Sequence, residues 1–297
     1  MTSPQPATGL RSLRVYLDMI KIEHSIFALP FAMIGMIWAA HGWPGWRTFG
    51  LIVLAMVTCR SAAMAYNRIA DRDIDALNPR TKVRALPAGL LTLRTAALYF
   101  CGSVALFLTA AALLNPLTLS LSPIALLVTL GYSRTKRFTP LCHFVLGLSL
   151  GIAPAAAWIA VTGSIDWRAV PLTIAVMLWT AGFDILYALQ DDQFDKDHRL
   201  RSIPETLGRR TAINISRMCH VFAIAALLIA GGLVGAGPIF SVAVIAAGIA
   251  LFYEQSLVKV HDLSKLNLAF FTMNGVVAIV VFLGALLDLL QRKGILS

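Results

Sequence analysis

The chain of 297 residues is 58% hydrophobic and only 13% charged, and its mean hydropathy is +0.76. This composition excludes a soluble globular domain of this size and indicates a polytopic membrane protein. The net charge of +10 does not indicate a nucleic-acid partner. If the N-terminus faces the cytoplasm, most lysines and arginines lie in loops on that side of the membrane. We therefore expect membrane lipid as the surroundings and no nucleic acid.

Apolar segments near the length of about 20 residues that a bilayer requires follow one another along the chain. They predict an all-α protein whose spans lie at 25–41, 49–67, 92–113, 117–132, 140–162, 170–190, 212–232, 235–254 and 267–289. We treat 1–297 as a single domain. Two parallel pseudo-repeats, 20–135 and 140–255, precede the final span in this interpretation.

A charged segment, NRIADRDIDALNPRTKVRALPAG at residues 67–89, directly follows the second span. Asn67, Asp71 and Asp75 recur every four residues, so they share one face if the span continues as a helix. Carboxylates four residues apart repel each other, and a bridging divalent cation would remove that cost. The alternative is a solvated charged face at a helix end.

A second acidic segment, YALQDDQFDKDHRLRSIP at residues 187–204, follows the sixth span. Asp191 and Asp195 have the same four-residue spacing and lie 120 residues after Asp71 and Asp75, while Tyr187 corresponds to Asn67. Both helix ends then emerge on the cytoplasmic side. Two such carboxylate pairs predict a site for Mg²⁺ and, through Mg²⁺, for a polyphosphate.

Basic and hydroxyl residues around the two acidic segments fit a diphosphate ligand, although each of the basic residues alone is more easily explained as a charge that orients the chain in the membrane. Arginine and lysine bind phosphate oxygens that metal ions leave uncovered. Together with Asn67, the expected diphosphate-binding residues are Arg72, Lys82, Arg84, Tyr132, Ser133, Lys136, Arg137 and Arg201.

The two motifs, with NPRTKVRALPAG after the first and GYSRTKRFTPL between them, resemble the UbiA superfamily of intramembrane prenyltransferases. The resemblance covers essentially the whole chain. It implies nine transmembrane helices around a central cavity capped by cytosolic loops. It also implies Mg²⁺-dependent transfer of a polyprenyl group from its diphosphate to an aromatic acid of the 4-hydroxybenzoate type, in quinone biosynthesis at the bacterial inner membrane.

Two charged residues lie deeper in the spans than the motifs. Arg60 precedes Asn67 by seven residues and Asp184 precedes Asp191 by seven, which is about two helical turns. A charge at that depth costs at least about 2.5–3.5 kcal/mol unless it is paired or faces a cavity. We expect Arg60 to bind the acceptor carboxylate and Asp184 to accept a proton. An ion pair between Arg60 and Asp184 is the alternative.

Three further polar residues complete the expected acceptor site: His24, Tyr187 and Asn274. His24 opens the first span, where an interfacial anchor is the default role. Asn274 lies inside the last span, where a hydrogen bond between helices is an equal alternative.

Two alternatives to this function stay open. The segments QDDQFD and RLRSIP resemble the branch proposed for the futalosine route to menaquinone, whose acceptor is 1,4-dihydroxy-6-naphthoate. A transporter built from parallel repeats would explain the symmetry without catalysis. A CDP-alcohol phosphotransferase would require a D-G-x-x-A-R segment that the sequence lacks.

Overall fold

The computed structural model describes residues 7–20 and 28–296, and within them the chain is almost entirely helical. Among these described residues, one isolated β-bridge joins Lys259 and Asp262. The helices are α1 Gly9–Ile20, α2 Leu29–Ala39, α3 Trp46–Ala70, α4 Arg72–Leu77, α5 Leu93–Leu114, α6 Pro116–Thr135, α7 Cys142–Thr162, α8 Val170–Ala188, α9 Asp192–Asp197, α10 Ile203–Leu207, α11 Arg209–Leu233, α12 Pro238–Leu257 and α13 Asn274–Arg292.

Eight helical segments of the described residues are long and apolar enough to cross a membrane. They coincide within a few residues with the last eight predicted spans. The predicted span 25–41 begins within residues 21–27, which lie outside the described residues. His24 is one of these residues. The described part of this span contains α2, an apolar helix of 11 residues. The predicted all-α membrane fold is therefore confirmed.

Local sequence signals explain where several helices begin and end. The side chain of Thr92 accepts a hydrogen bond of 3.1 Å from the Thr95 N–H at the start of α5. The Asn115 side chain accepts one of 2.8 Å from the Thr118 N–H and so caps α6. Gly163, with a φ of 67°, ends α7 in the left-handed conformation that glycine adopts without strain.

The chain divides into two compact units. The first contains residues 1–25 and 50–134, and its N-terminal part is the helix α1, which the sequence analysis did not anticipate. The Tyr16 ring stacks on that of Tyr99 in α5 at 4.5 Å, and its hydroxyl lies 3.2 Å from the hydroxyl of Ser103. One apolar face in 12 residues is too short to be recognised as a span, but long enough to pack on one.

The second unit contains residues 26–49 and 135–297. Within it α7 packs between α2 and α8, α8 also packs on α11, and α12 packs on α13. Glycines make two of these approaches close: Gly35 of α2 lies against the backbone of Pro154, and Gly147 of α7 against the backbone of Met177. A side chain at either position would collide with a backbone carbonyl, as is typical of closely packed membrane helices.

A six-residue π-helix, Leu268–Met273, leads into α13. The Asn274 side-chain amide donates to the carbonyls of Ala269 and Phe270 at 3.3 and 3.1 Å and to the Glu254 carboxyl group of α12 at 3.3 Å. Asn274 and Glu254 are both fully buried. This geometry favours the hydrogen bond between helices over the acceptor contact that we considered for Asn274.

Candidate active site

The first acidic motif lies where α3 ends. Asp71 interrupts the helix with φ −100° and ψ 6°, and α4 begins at the next residue. The hydrogen bonds continue across this break, since the Asp71 N–H donates to the Asn67 carbonyl at 2.9 Å and the Asp75 N–H to the Asp71 carbonyl at 2.7 Å. Asp71 and Asp75 are both buried. The four-residue spacing thus remains a helical spacing despite the break.

A chain of hydrogen bonds orients the first carboxylate. The Asn67 side-chain amide donates to Asp71 at 3.0 Å, and Arg68 donates to the Asn67 amide oxygen at 2.9 Å. Arg68 is itself buried. Sequence reasoning missed this arginine, although a charge next to the motif asparagine was the available signal. Asn67 therefore acts here through its amide group, which bridges Arg68 and Asp71.

The second carboxylate of this motif is held by an arginine from the following loop. The Arg84 guanidinium donates to both oxygens of Asp75, at 2.7 and 2.8 Å. The loop returns to this position because the Thr81 hydroxyl donates to the Asp75 carbonyl at 3.0 Å and the Arg80 N–H to the Asn78 side chain at 2.9 Å. Arg84, which we expect to bind a diphosphate, is paired with the Asp75 carboxylate in this conformation.

The second acidic motif has the same helix break but a tighter approach to it. Asp191 has φ −109° and ψ 3°, and α9 begins at the next residue. The Asp191 N–H donates to the Ala188 carbonyl, three residues back, at 3.0 Å, whereas the Asp195 N–H donates four residues back to Asp191 at 2.8 Å. The 3₁₀-like turn rotates Asp191 relative to α8, so the spacing from Asp184 is not two regular α-helical turns.

Asp195 is the most deeply buried of the motif carboxylates. Its burial raises its pKa, and the Lys136 ammonium, 3.5 Å away, opposes that shift. The Arg201 N–H donates to the Lys136 carbonyl at 2.6 Å, which fixes the segment after α9 beside the one after α6. As with Asp75, a basic residue that we expect at a diphosphate is paired with the second aspartate of its motif.

Asp192, beside the motif, has a different role. Arg209 at the start of α11 donates to both of its carboxylate oxygens, at 2.5 and 3.0 Å. These hydrogen bonds lower the pKa of Asp192. Arg209 also donates to the Val260 carbonyl at 3.3 Å. The pair ties α9 to α11 and to the loop after α12, which is a structural function.

Asp184 pairs with a residue that the sequence analysis did not consider. The Asp184 carboxylate lies 2.7 Å from Nδ1 of His143 in α7. The His143 side chain is 3% exposed and the Asp184 side chain is 23% exposed. Only a lone histidine near the start of an apolar segment was visible in the sequence, and nothing there linked it to a residue 41 positions later.

The remaining expected residues fall into two groups. Tyr187 is half-buried and its ring lies 4.1 Å from that of Phe270, while Arg60 is half-buried within α3. Ser133 is buried and Tyr132 is half-buried, so they also belong to the group inside the protein. Arg72 belongs to the exposed group and donates a hydrogen bond of 3.0 Å to Asp73. The other basic residues expected at a diphosphate lie on the surface: Lys82, Arg137 and Arg201.

The donor chemistry of the motifs fits magnesium. Each motif contributes carboxylate oxygens that are wholly or partly buried, and carboxylate oxygens are the ligands that Mg²⁺ takes from proteins. No group of three or more histidine, cysteine or acidic side chains among the described residues is already arranged to hold a metal. Because Arg84 and Lys136 pair with Asp75 and Asp195, a metal ion at either aspartate would compete with that basic side chain for the carboxylate.

Comparisons with known sequences show which proteins the chain resembles. The chain matches the sequence model of the UbiA prenyltransferase family over residues 28–276. It is 32% identical to a 4-hydroxybenzoate octaprenyltransferase of Saccharophagus degradans, over 96% of each chain. It is 33% identical to a 4-hydroxybenzoate octaprenyltransferase of Nitrosomonas europaea, over 94% of this chain and 96% of the relative.

Solved structures show the same fold. An apo UbiA homologue from Aeropyrum pernix superimposes with a TM-score of 0.82 at 35% identity, over 90% of this chain and 98% of that one. A homologue from Archaeoglobus fulgidus bound to DMAPP and Mg²⁺ superimposes with a TM-score of 0.71 at 19% identity, over 92% of this chain and 98% of that one.

Proposed function

Because the chain belongs to the UbiA prenyltransferase family and is an aromatic prenyltransferase, we propose that it transfers a polyprenyl group from a polyprenyl diphosphate to 4-hydroxybenzoate. The observation that carries the proposal is the pair of acidic motifs, 120 residues apart, each with the same break at its first aspartate. The names and near full-length similarity of the bacterial relatives support it. We place the protein in the bacterial inner membrane with its site toward the cytoplasm.

In this proposal the diphosphate is bound through Mg²⁺ by Asp71, Asp75, Asp191 and Asp195. The metal supplies positive charge that stabilises the departing diphosphate. Asn67 orients Asp71, as its amide does in the hydrogen-bond chain from Arg68. Arg84 and Lys136 exchange their aspartate partners for diphosphate oxygens, so the loop residues that pair with the motifs become ligands of the substrate.

Residues deeper in the spans act on the acceptor. Arg60 binds its carboxylate, and Tyr187 contacts its ring from the aromatic surface that it shares with Phe270. The allylic C–O bond breaks first and its electron pair leaves with diphosphate. The ring carbon then supplies a π-electron pair to the allylic cation and forms the new C–C bond. The ring then loses a proton, which Asp184 accepts, and the C–H electrons restore aromaticity. The surrounding spans exclude water from the allylic cation.

The acceptor test uses membranes that carry the protein, a polyprenyl diphosphate, Mg²⁺ and one of two acceptors. We expect prenylated 4-hydroxybenzoate, detected by mass spectrometry, and its loss when EDTA removes Mg²⁺. If only 1,4-dihydroxy-6-naphthoate gives product, the assigned acceptor is wrong but the proposed prenyl transfer stands, because both acids carry a carboxylate and a ring hydroxyl. Flux of an intact substrate with no bond broken would favour the transporter.

Arg60→Ala should raise the KM for the acceptor. A hydrogen bond to a charged group contributes about 1.5–3 kcal/mol, so the KM should rise by about tenfold to a hundredfold. The KM for the polyprenyl diphosphate should stay unchanged, because the proposed diphosphate ligands are intact. An unchanged acceptor KM in folded, active Arg60→Ala protein would remove Arg60 from the acceptor site.

A further inference from the structure

The hydrogen bonds around His143 determine which of its nitrogens carries the proton. The backbone N–H of Ile203, at the start of α10, points to Nε2 of His143 at 3.3 Å. A backbone N–H can only donate, so Nε2 must accept and carries no hydrogen. The proton of the neutral ring is then on Nδ1, which donates to Asp184 at 2.7 Å.

The position of Ile203 is itself fixed. The Ser202 side chain caps α10 by accepting from the Glu205 N–H at 3.3 Å. The preceding residue, Arg201, is bound through its N–H to Lys136 and through its carbonyl to the Cys142 thiol, at 2.6 and 3.6 Å. The donor that faces Nε2 therefore cannot turn away without breaking these contacts.

The arrangement has a consequence for charge. A doubly protonated His143 would direct Nε2–H against the Ile203 N–H, with two donors and no acceptor between them. The neutral ring avoids this conflict, so the negative charge stays on Asp184. Asp184 is also the more exposed member of the pair, at 23% against 3% for His143. His143 is thus the more buried member of the pair, and the Asp184 carboxylate stays partly accessible.

We propose that His143 is a positioning residue that holds Asp184 in place, as an ionised carboxylate, to accept the ring proton. The inference rests on the proposed function, in which Asp184 takes that proton. The Nδ1–H of His143 fixes the direction of the carboxylate, and Ile203 fixes the tautomer of His143. This is the way in which a hydrogen-bonded partner orients a histidine or carboxylate in other catalytic sites.

Two substitutions separate the bond to Asp184 from the rest of the histidine. His143→Leu removes both hydrogen bonds. In His143→Asn the side-chain nitrogen lies near the position of Nδ1, so it can still donate to Asp184. We expect His143→Leu to lower kcat by about tenfold, a part of the about hundredfold that a general base contributes, with the KM for polyprenyl diphosphate unchanged. His143→Asn should retain most of the wild-type kcat.

A kinetic isotope effect distinguishes positioning from a general loss of structure. With the acceptor deuterated at the ring carbon that reacts, the wild-type enzyme should show an effect near unity, because proton loss follows slower bond formation. Asp184→Asn and His143→Leu should both show an effect clearly above unity, because proton removal has become slow. A lower kcat in His143→Leu without any isotope effect would overturn the proposal, as would a wild-type kcat.

Nitrogen NMR of the intact protein labelled in histidine tests the geometry without activity. The spectrum of His143→Asn identifies the His143 signals by their absence, and exposed His261 serves as the reference. We expect Nδ1 protonated, Nε2 unprotonated, and a changed Nδ1 shift in Asp184→Asn. A doubly protonated ring would overturn the proposal even if His143→Leu does not fold. A wild-type enzyme inert toward both acceptors, with the expected spectrum, would instead refute the proposed function.

Discussion

Asp71→Ala and Asp191→Ala should each lower the rate of prenyl transfer by about a thousandfold, the upper range for loss of one group that stabilises charge in the transition state. Each substitution removes the carboxylate at the helix break of its motif. Without that carboxylate, the negative charge that develops on the departing diphosphate is less well neutralised. Breaking of the allylic C–O bond is therefore slower. Asp75→Ala and Asp195→Ala are harder to interpret, because each would release a basic residue that we expect at the diphosphate, Arg84 or Lys136.

The measurement is Mg²⁺-dependent product formation at saturating acceptor, with binding of a non-hydrolysable prenyl diphosphate analogue as a second readout. Asp73→Ala is the matched control, because its side chain is 87% exposed and lies in the same motif segment. It should keep wild-type activity. A folded Asp71→Ala or Asp191→Ala protein with the wild-type rate and analogue affinity would contradict the assignment of its motif.

Asp288→Ala should destabilise the second unit by about 3 kcal/mol, since each of two N–H groups that loses its partner costs about 1–3 kcal/mol. The Asp288 carboxylate of α13 is 1% exposed and accepts from the N–H groups of Gly237 and Phe240, at 3.0 and 3.4 Å, at the start of α12. It also pairs with Arg292 at 2.9 Å. Alanine would leave two helix N–H groups and one guanidinium without this partner.

Thermal unfolding of the protein in nanodiscs, followed by tryptophan fluorescence, checks this expectation. Asp288→Asn should be intermediate, because its amide oxygen still accepts from the start of α12 but carries no charge for Arg292. The exposed Asp73→Ala protein should unfold at the wild-type temperature. Equal midpoints for Asp288→Ala and wild type would show that α12 does not depend on this cap.

The spans and the motifs were predictable because each depends on residues close in sequence. Apolar runs of bilayer length define the spans, and the spacing of Asp71 and Asp75 survives in the hydrogen bonds of the helix. The 3₁₀-like turn before Asp191 was not predictable, since nothing in the local composition distinguishes it from a continuing helix. It places Asp191 and Asp184 at a different angle from the one that regular helix geometry implied.

The partners of the carboxylates were less predictable than the carboxylates themselves. Arg84 and Lys136 were expected at a diphosphate, but their pairing with Asp75 and Asp195 depends on how the loops fold back. The bond between His143 and Asp184 joins two separate spans, and its geometry depends on Ile203 in a third segment. Such contacts follow from tertiary structure and have no local pattern.

The π-helix before α13 changes the direction in which side chains point, so the residues on its two sides face different partners. A π-turn accommodates an additional residue, so Phe270 can stack on Tyr187 while Asn274 still meets Glu254. Deleting one residue from Leu268–Met273 would restore an ordinary α-helix but rotate one side relative to the other by about 100°. Such a deletion would therefore turn either Phe270 away from Tyr187 or Asn274 away from Glu254.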